Sequence, residues 1–230
     1  MTIGADQVRA GLTEVRERIL AAGGDPERIT VVAVTKGFGV DAVEAAREAG
    51  AEHIGENYAQ ELLAKAEAMA AGPAPRWHFI GGLQTNKVRQ VAHLVDLWES
   101  VDRPSLGAEV AKRAPGARVL AQVNISGEST KSGCPPEQTP TLVAELRDLG
   151  LDVRGLMGVA APGDEGRARA QFGRLAEQAA ALELAELSMG MSTDLEAARE
   201  AGAEHIGENY AQELLAKAEA IGPGPAPRWH

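Results

Sequence analysis

Eight short apolar runs recur along this chain, each followed by a stretch with helical spacing, after one preliminary helix. The runs are Thr30–Thr35, His53–Asn57, Trp77–Ile80, Val95–Ser100, Val119–Ile125, Val153–Val159, Ala185–Met189 and His205–Gly207. Short apolar runs bounded by turns read as buried strands. The preliminary helix sets Val8, Leu12, Val15, Ile19 and Leu20 at helical spacing within residues 5–22, and Gly23-Gly24 ends it. Further helices are expected around 40–49, 58–68, 86–93, 106–113, 139–149, 166–181, 193–201 and 210–220. Regular strand–helix alternation makes a parallel sheet, and eight units close a single (β/α)8 TIM-type barrel. The alternative is an open doubly wound sheet. No Gly-x-Gly-x-x-Gly follows the first run, which weakens its dinucleotide-binding form. The Pro/Gly-rich stretches at 72–75, 135–140 and 222–227 read as loops, so residues 1–230 are taken as one domain.

Composition narrows the partners. Hydrophobic residues make up 44% and aromatics 3%, so the core is aliphatic and alanine-rich. A net charge of −10 argues against a nucleic-acid backbone as partner, while leaving room for a local basic pocket around one phosphate. Cys134 is the sole cysteine, which excludes an intrachain disulfide and a cysteine-based zinc site. The N-terminus is polar, and no stretch approaches the ~18 apolar residues of a membrane span. A soluble, cytoplasmic monomer without a membrane partner is the expectation.

The chain also contains a repeat. Residues 44–78 return as residues 196–230, with only Met69, Ala70 and Ala71 changed, to Ile221, Gly222 and Pro223. Solenoids need several adjacent copies; these two are far apart. The first copy runs on into Phe79-Ile80-Gly81, whereas the second stops at His230. The tail therefore reads as a segment copied into the place of the original eighth unit. Strands two and eight both neighbour strand one in a barrel, so the copy is a plausible partner for that edge. Closure is expected to be imperfect, with Trp229 near the surface.

Lys36 directly follows the run Val31-Val32-Ala33-Val34-Thr35. Groups at the C-terminal ends of barrel strands face the active site, so this lysine is a candidate Schiff-base amine. By position alone a solvated strand-end lysine is the commoner case. The strings VAVTKGF, IGENYAQE, WHFIGGLQTNK, VNISGESTKSG, GLMGVA and LSMGMSTDLEAA, in this order, resemble the pyridoxal phosphate homeostasis protein family over about residues 5 to 198. That resemblance implies a barrel like the N-terminal domain of alanine racemase. It implies pyridoxal 5′-phosphate held as a Schiff base on Lys36, and a carrier or regulator of vitamin B6 pools without an established reaction.

The resemblance further implies that Asn57 and Met157 line the cofactor pocket, and that Ser188, Met189, Ser192 and Gly207 lie in the motifs around it, the serines beside the phosphate. Other roles stay open. Asn57 can cap the helix at Tyr58, Met157 can be core packing, and Ser192 can cap the helix that follows. His78 reads as a histidine satisfied by backbone. Around His53 and His205 too few histidines or carboxylates cluster to propose a metal. Lys87 and Lys131 read as surface charges unless their loops fold over the pocket.

The pattern breaks at the eighth unit. Where the family has V-R-I-G followed by Thr or Ser, this chain reads His205-Ile206-Gly207-Glu208. Glu208 stands in place of a hydroxyl donor, which is expected to weaken phosphate binding. A racemase-like enzyme is the alternative, disfavoured because such enzymes need a second domain for which no residues remain. A cofactor-free barrel with a damaged phosphate site is the other.

Overall fold

The computed structural model describes residues 3–70 and 72–208, residue 208 by its backbone alone. Eight parallel strands close in sequence order into a barrel. They are β1 (Thr30–Val34), β2 (His53–Glu56), β3 (Arg76–Phe79), β4 (Val95–Val101), β5 (Arg118–Gln122), β6 (Asp152–Gly158), β7 (Glu186–Met189) and β8 (His205–Glu208). Helix α1 (Ala5–Ala21) precedes them. The shell follows as α2 (Val40–Glu48), α3 (Ala59–Ala68), α4 (Thr85–Val91), α5 (Pro104–Arg113), α6 (Thr139–Asp148), α7 (Glu165–Ala181) and α8 (Leu195–Glu200). The core is the aliphatic shell between strands and helices, including Ile54, Leu62, Leu106, Leu156, Leu175 and Leu195, each fully buried. Burial of one such side chain contributes roughly 1.5–3 kcal/mol. Among the described residues, no helix is long and apolar enough to cross a membrane.

The repeated strand occupies both sides of β1. Ile54 of β2 lies opposite Ala33, and its copy Ile206 of β8 lies opposite Val31. The two identical strands are thus offset by two residues along β1. Side chains alternate faces with a period of two, so an even offset keeps each copied residue on its original side. Ile54 and Ile206 are both fully buried in the helix-side core, while Gly207 faces the barrel interior, where it lines a cavity. An odd offset would have turned the isoleucine inward and destroyed the match.

The seam at β8 is thin. Ser188–His205 is the register pair between β7 and β8 among the described residues, helped by Glu204 N–H to Leu187 O at 2.9 Å and Gly207 N–H to Gly190 O at 3.2 Å. On the outside, Arg18 of α1 grips Glu196 of α8 through two hydrogen bonds of 2.8 Å. The expected closure beside residues 30–36 is found. The expected helix at 210–220, the position of Trp229 and the Glu208 carboxylate lie outside the described residues and side chains.

One strand is shorter than its pattern predicts. The apolar run Val119–Ile125 forms strand only to Gln122. Asn124 stops it: its Oδ1 accepts from Ser126 Oγ at 2.9 Å and Gly127 N–H at 3.1 Å, and its Nδ2 donates to Glu128 O at 2.9 Å. An asparagine that satisfies nearby backbone in this way competes with the ladder. The chain doubles back until Cys134 N–H reaches Gln122 O at 2.8 Å.

Candidate functional site

A cavity of about 440 Å³ opens at the C-terminal ends of the strands, the end where barrels of this kind carry their sites. Lys36 lines it, and its ammonium makes no hydrogen bond or ion pair among the described residues. The backbone on either side of Lys36 is anchored. Lys65 Nζ donates to Thr35 O at 2.7 Å and to Glu56 Oε1 at 2.5 Å, and Thr35 Oγ1 donates to the same carboxylate oxygen at 2.5 Å. Glu61 Oε2 accepts from Gly37 N–H at 2.8 Å. Burial pushes the Glu56 carboxyl up, against the pull of Lys65 and Thr35. The lysine is thus held by backbone that α3 and β2 fix together.

Asn57 and Gln122 also line the cavity. Asn57 Oδ1 and Gln122 Oε1 are buried without a hydrogen-bond partner among the described residues. Buried acceptors are normally paired, and an orphan marks either strain or a ligand. Asn57 does not cap α3: the cap residue is Tyr58, with no side-chain bond. Its backbone is pressed against β3, where a Cβ on Gly81 would lie 2.3 Å from Asn57 O. Only glycine permits that approach.

Met157 lines the cavity and packs with Leu97 and Leu120 inside the barrel, so its two expected roles coincide. Ser188 lies in the cavity floor and donates its hydroxyl proton to Glu99, also in the floor. Met189 borders the cavity but belongs to the core shared with the helices. Gly207 lines the wall. Ser192 sits in the turn before α8 and is not among the lining residues; Asp194 holds that turn instead, its Oδ1 accepting from Met191 N–H at 2.7 Å. The structure therefore brings Lys36, Asn57, Met157, Ser188, Met189 and Gly207 together and leaves Ser192 aside.

Two features rest on tertiary contacts that the sequence left open or did not show. Lys131, with Thr130 and Ser132, lines the cavity mouth, because the Asn124 turn folds its loop over the opening. Lys87 does not line it. The second is an interior cluster: His53, His78 and His205 converge, with ring centroids 5.0 Å apart for the first pair and 5.8 Å for the second. His78 is held by side chains rather than backbone, hydrogen-bonding Glu99 on one side and His53 at 2.7 Å on the other. His205 Nε2 meets Glu186 Oε2 at 3.3 Å. The histidines come from strands distant in sequence, so spacing alone could not reveal the cluster. Among the described residues, no three such groups are arranged to hold a metal.

A lysine at the end of β1, inside a cavity floored by polar side chains of β4, β5 and β7, defines a small-ligand site in a parallel barrel. Residues 5–205 match the family model described as alanine racemase, N-terminal domain. The chain is 41% identical over 211 residues to a pyridoxal phosphate homeostasis protein of Pseudomonas aeruginosa, covering 88% of this chain and 91% of that one. PipY of Synechococcus elongatus, solved with pyridoxal phosphate bound, superposes with a TM-score of 0.73 at 30% identity, over 85% of this chain and 97% of PipY. Alanine racemase of Bacillus anthracis shares the fold, with a TM-score of 0.71 at 16% identity; the match covers 98% of this chain and 61% of the racemase. The chain belongs to the pyridoxal phosphate homeostasis protein family.

Proposed function

We propose that this protein binds pyridoxal 5′-phosphate through Lys36 and serves in vitamin B6 homeostasis as a carrier or regulator, without turnover. The observation that carries the reading is that Lys36, whose ammonium has no partner among the described residues, shares one cavity with the Asn57 and Gln122 amide oxygens, which likewise have none there. The names of the curated relatives and the cofactor in PipY support it. The cavity volume falls in the usual range for small-ligand sites, about 300–1,000 Å³.

When bound, the cofactor supplies an aldehyde that condenses with a primary amine and releases water. Lys36 provides that amine, and the anchored Thr35 and Gly37 fix its approach. Ile80 and Met157 give the cavity apolar walls that exclude water. Lys131 supplies positive charge for the phosphate, with Gly190, Met191 and Gly207 lining the wall between β7 and β8. We read residues 1–230 as one domain, acting as a cytoplasmic monomer.

Incubation with pyridoxal phosphate, borohydride reduction and peptide mapping test the assignment. The label is expected on Lys36 and is lost in Lys36→Ala. A label on Lys131 or Lys87 that persists in that variant would overturn it.

A further inference from the structure

Ser188, Glu99 and Gln122 each bring an acceptor oxygen to the cavity floor. Ser188, 8% exposed, gives its only proton to Glu99 Oε2, so the face of its oxygen toward the cavity offers lone pairs. Glu99, 1% exposed, accepts Ser188 on one oxygen and faces His78 Nδ1 with the other. Burial acts to raise the Glu99 carboxyl, but the His78 hydrogen bond and charge, His205 and Ser188 outweigh it and hold it below its ordinary value. Gln122, 7% exposed, adds an Oε1 that has no hydrogen-bond partner among the described residues. Strand register sets Gln122, Met157 and Ser188 side by side across β5, β6 and β7. The two polar side chains thus flank one apolar one in a single layer.

Such a floor disfavours a phosphate and favours a hydrogen-bond donor. At neutral pH the phosphate and ring oxygen of pyridoxal phosphate are acceptors, and the protonated ring nitrogen is its donor. We propose that Glu99, acting through Ser188, is a specificity-determining residue that makes this pocket select a pyridine ring carrying a proton on its nitrogen. Ser188 is then a partner of the ring nitrogen, in contrast to the place beside the phosphate expected from its motif. The inference rests on pyridoxal phosphate as the ligand.

The test compares two probes by direct binding: pyridoxal phosphate and its 1-deaza analogue, in which carbon replaces the ring nitrogen. The wild type is expected to bind the nitrogen ring at least about tenfold more tightly, the equivalent of one charge-assisted hydrogen bond. Glu99→Gln removes the charge and gives Ser188 an alternative donor partner; the preference should collapse to within about threefold. Ser188→Ala removes only a hydroxyl and should have the same effect, which keeps the test decisive if Glu99→Gln fails to fold. A folded variant that keeps the tenfold preference overturns the proposal, because a merely structural role would weaken both probes alike. A wild type that binds both probes equally overturns this inference and leaves the cofactor assignment standing. A wild type that binds neither overturns both.

Discussion

Lys65 Nζ lies 2.5 Å from Glu56 Oε1, with the two side chains 4% and 0% exposed, inside the wall of the barrel beside the end of β1. The pair spans α3 and β2, and the same ammonium holds the carbonyl of Thr35 at 2.7 Å. Structure and site share this contact, because the end of β1 is set by it. A charge buried to this degree is tolerated only with its partner in place.

Lys65→Met should therefore destabilise the fold by about 3–5 kcal/mol in urea titrations near neutral pH. Burial raises the Glu56 pKa against the pull of Lys65 and Thr35, so the folded protein takes up this proton at a higher pH than the unfolded chain does. Stability from a raised group is present below the unfolded pKa and is lost as pH rises through the folded one. The deficit of Lys65→Met should accordingly shrink on acidification, as Glu56 takes up a proton and no longer needs the cation. A deficit independent of pH would mean that lost packing of the lysine stem, not the charge, sets the cost. Because Thr35 is released as well, cofactor affinity should fall in the same variant.

The repeated histidines should titrate in opposite directions. Burial, His78, Arg76 and His205 push His53 down to about 4. Burial also acts to lower His205, but the Glu186 hydrogen bond and the charges of Glu99, Glu186 and Glu204 outweigh it and raise its pKa above 6.5. His53 thus contributes stability that is present above pH 6.5 and lost as pH falls toward about 4. For His205 the contribution is present below pH 6.5 and lost as pH rises through its folded value. Imidazole NMR titration should give two separate midpoints on either side of 6.5. His53→Gln should flatten the acid limb of the stability profile, and His205→Gln the alkaline one. Coincident midpoints would rule out the distinct environments described for the two residues.

Asn57→Leu separates stability from binding. An unsatisfied buried acceptor costs about 1–3 kcal/mol, and an apolar side chain of similar size removes that cost. The free protein should melt at the same or a higher temperature, while pyridoxal phosphate affinity drops by at least about tenfold. If Asn57 were a structural residue, the variant would lose stability and keep its affinity.

Much of the fold was legible in the sequence. The eight runs appear as the eight strands, in order and parallel, because an apolar run between helical segments has few places to go except a covered sheet. The even offset between the copies could not be read. His53-Ile54-Gly55-Glu56 and His205-Ile206-Gly207-Glu208 are the same string, and nothing within it says that one pairs Ile with Ala33 and the other with Val31. That difference comes from the stagger of a closed barrel.

For the site, local order placed Lys36, Asn57 and Gly207 at strand ends, and closure carried them into one cavity. Met157 lay ambiguous between packing and binding until the inner layer with Leu97 and Leu120 was seen. Lys131 stayed open between surface and pocket because its position depends on the Asn124 turn, which truncates a strand the apolar pattern would have prolonged. Ser192 lies in the turn before α8 and outside the cavity lining, and a motif serine next to a helix start looks the same in sequence in either place.

The sequence by itself determined the strand–helix order, the aliphatic core and a lysine at the mouth of the barrel. Those properties follow from periodicity and from residues close together along the chain. Tertiary structure alone decided that Glu99 of β4 would take the Ser188 proton across the barrel, and that His53, His78 and His205 would meet. Such contacts join strands up to five units apart along the chain, and their partners are fixed by curvature and register at closure, which no local pattern encodes.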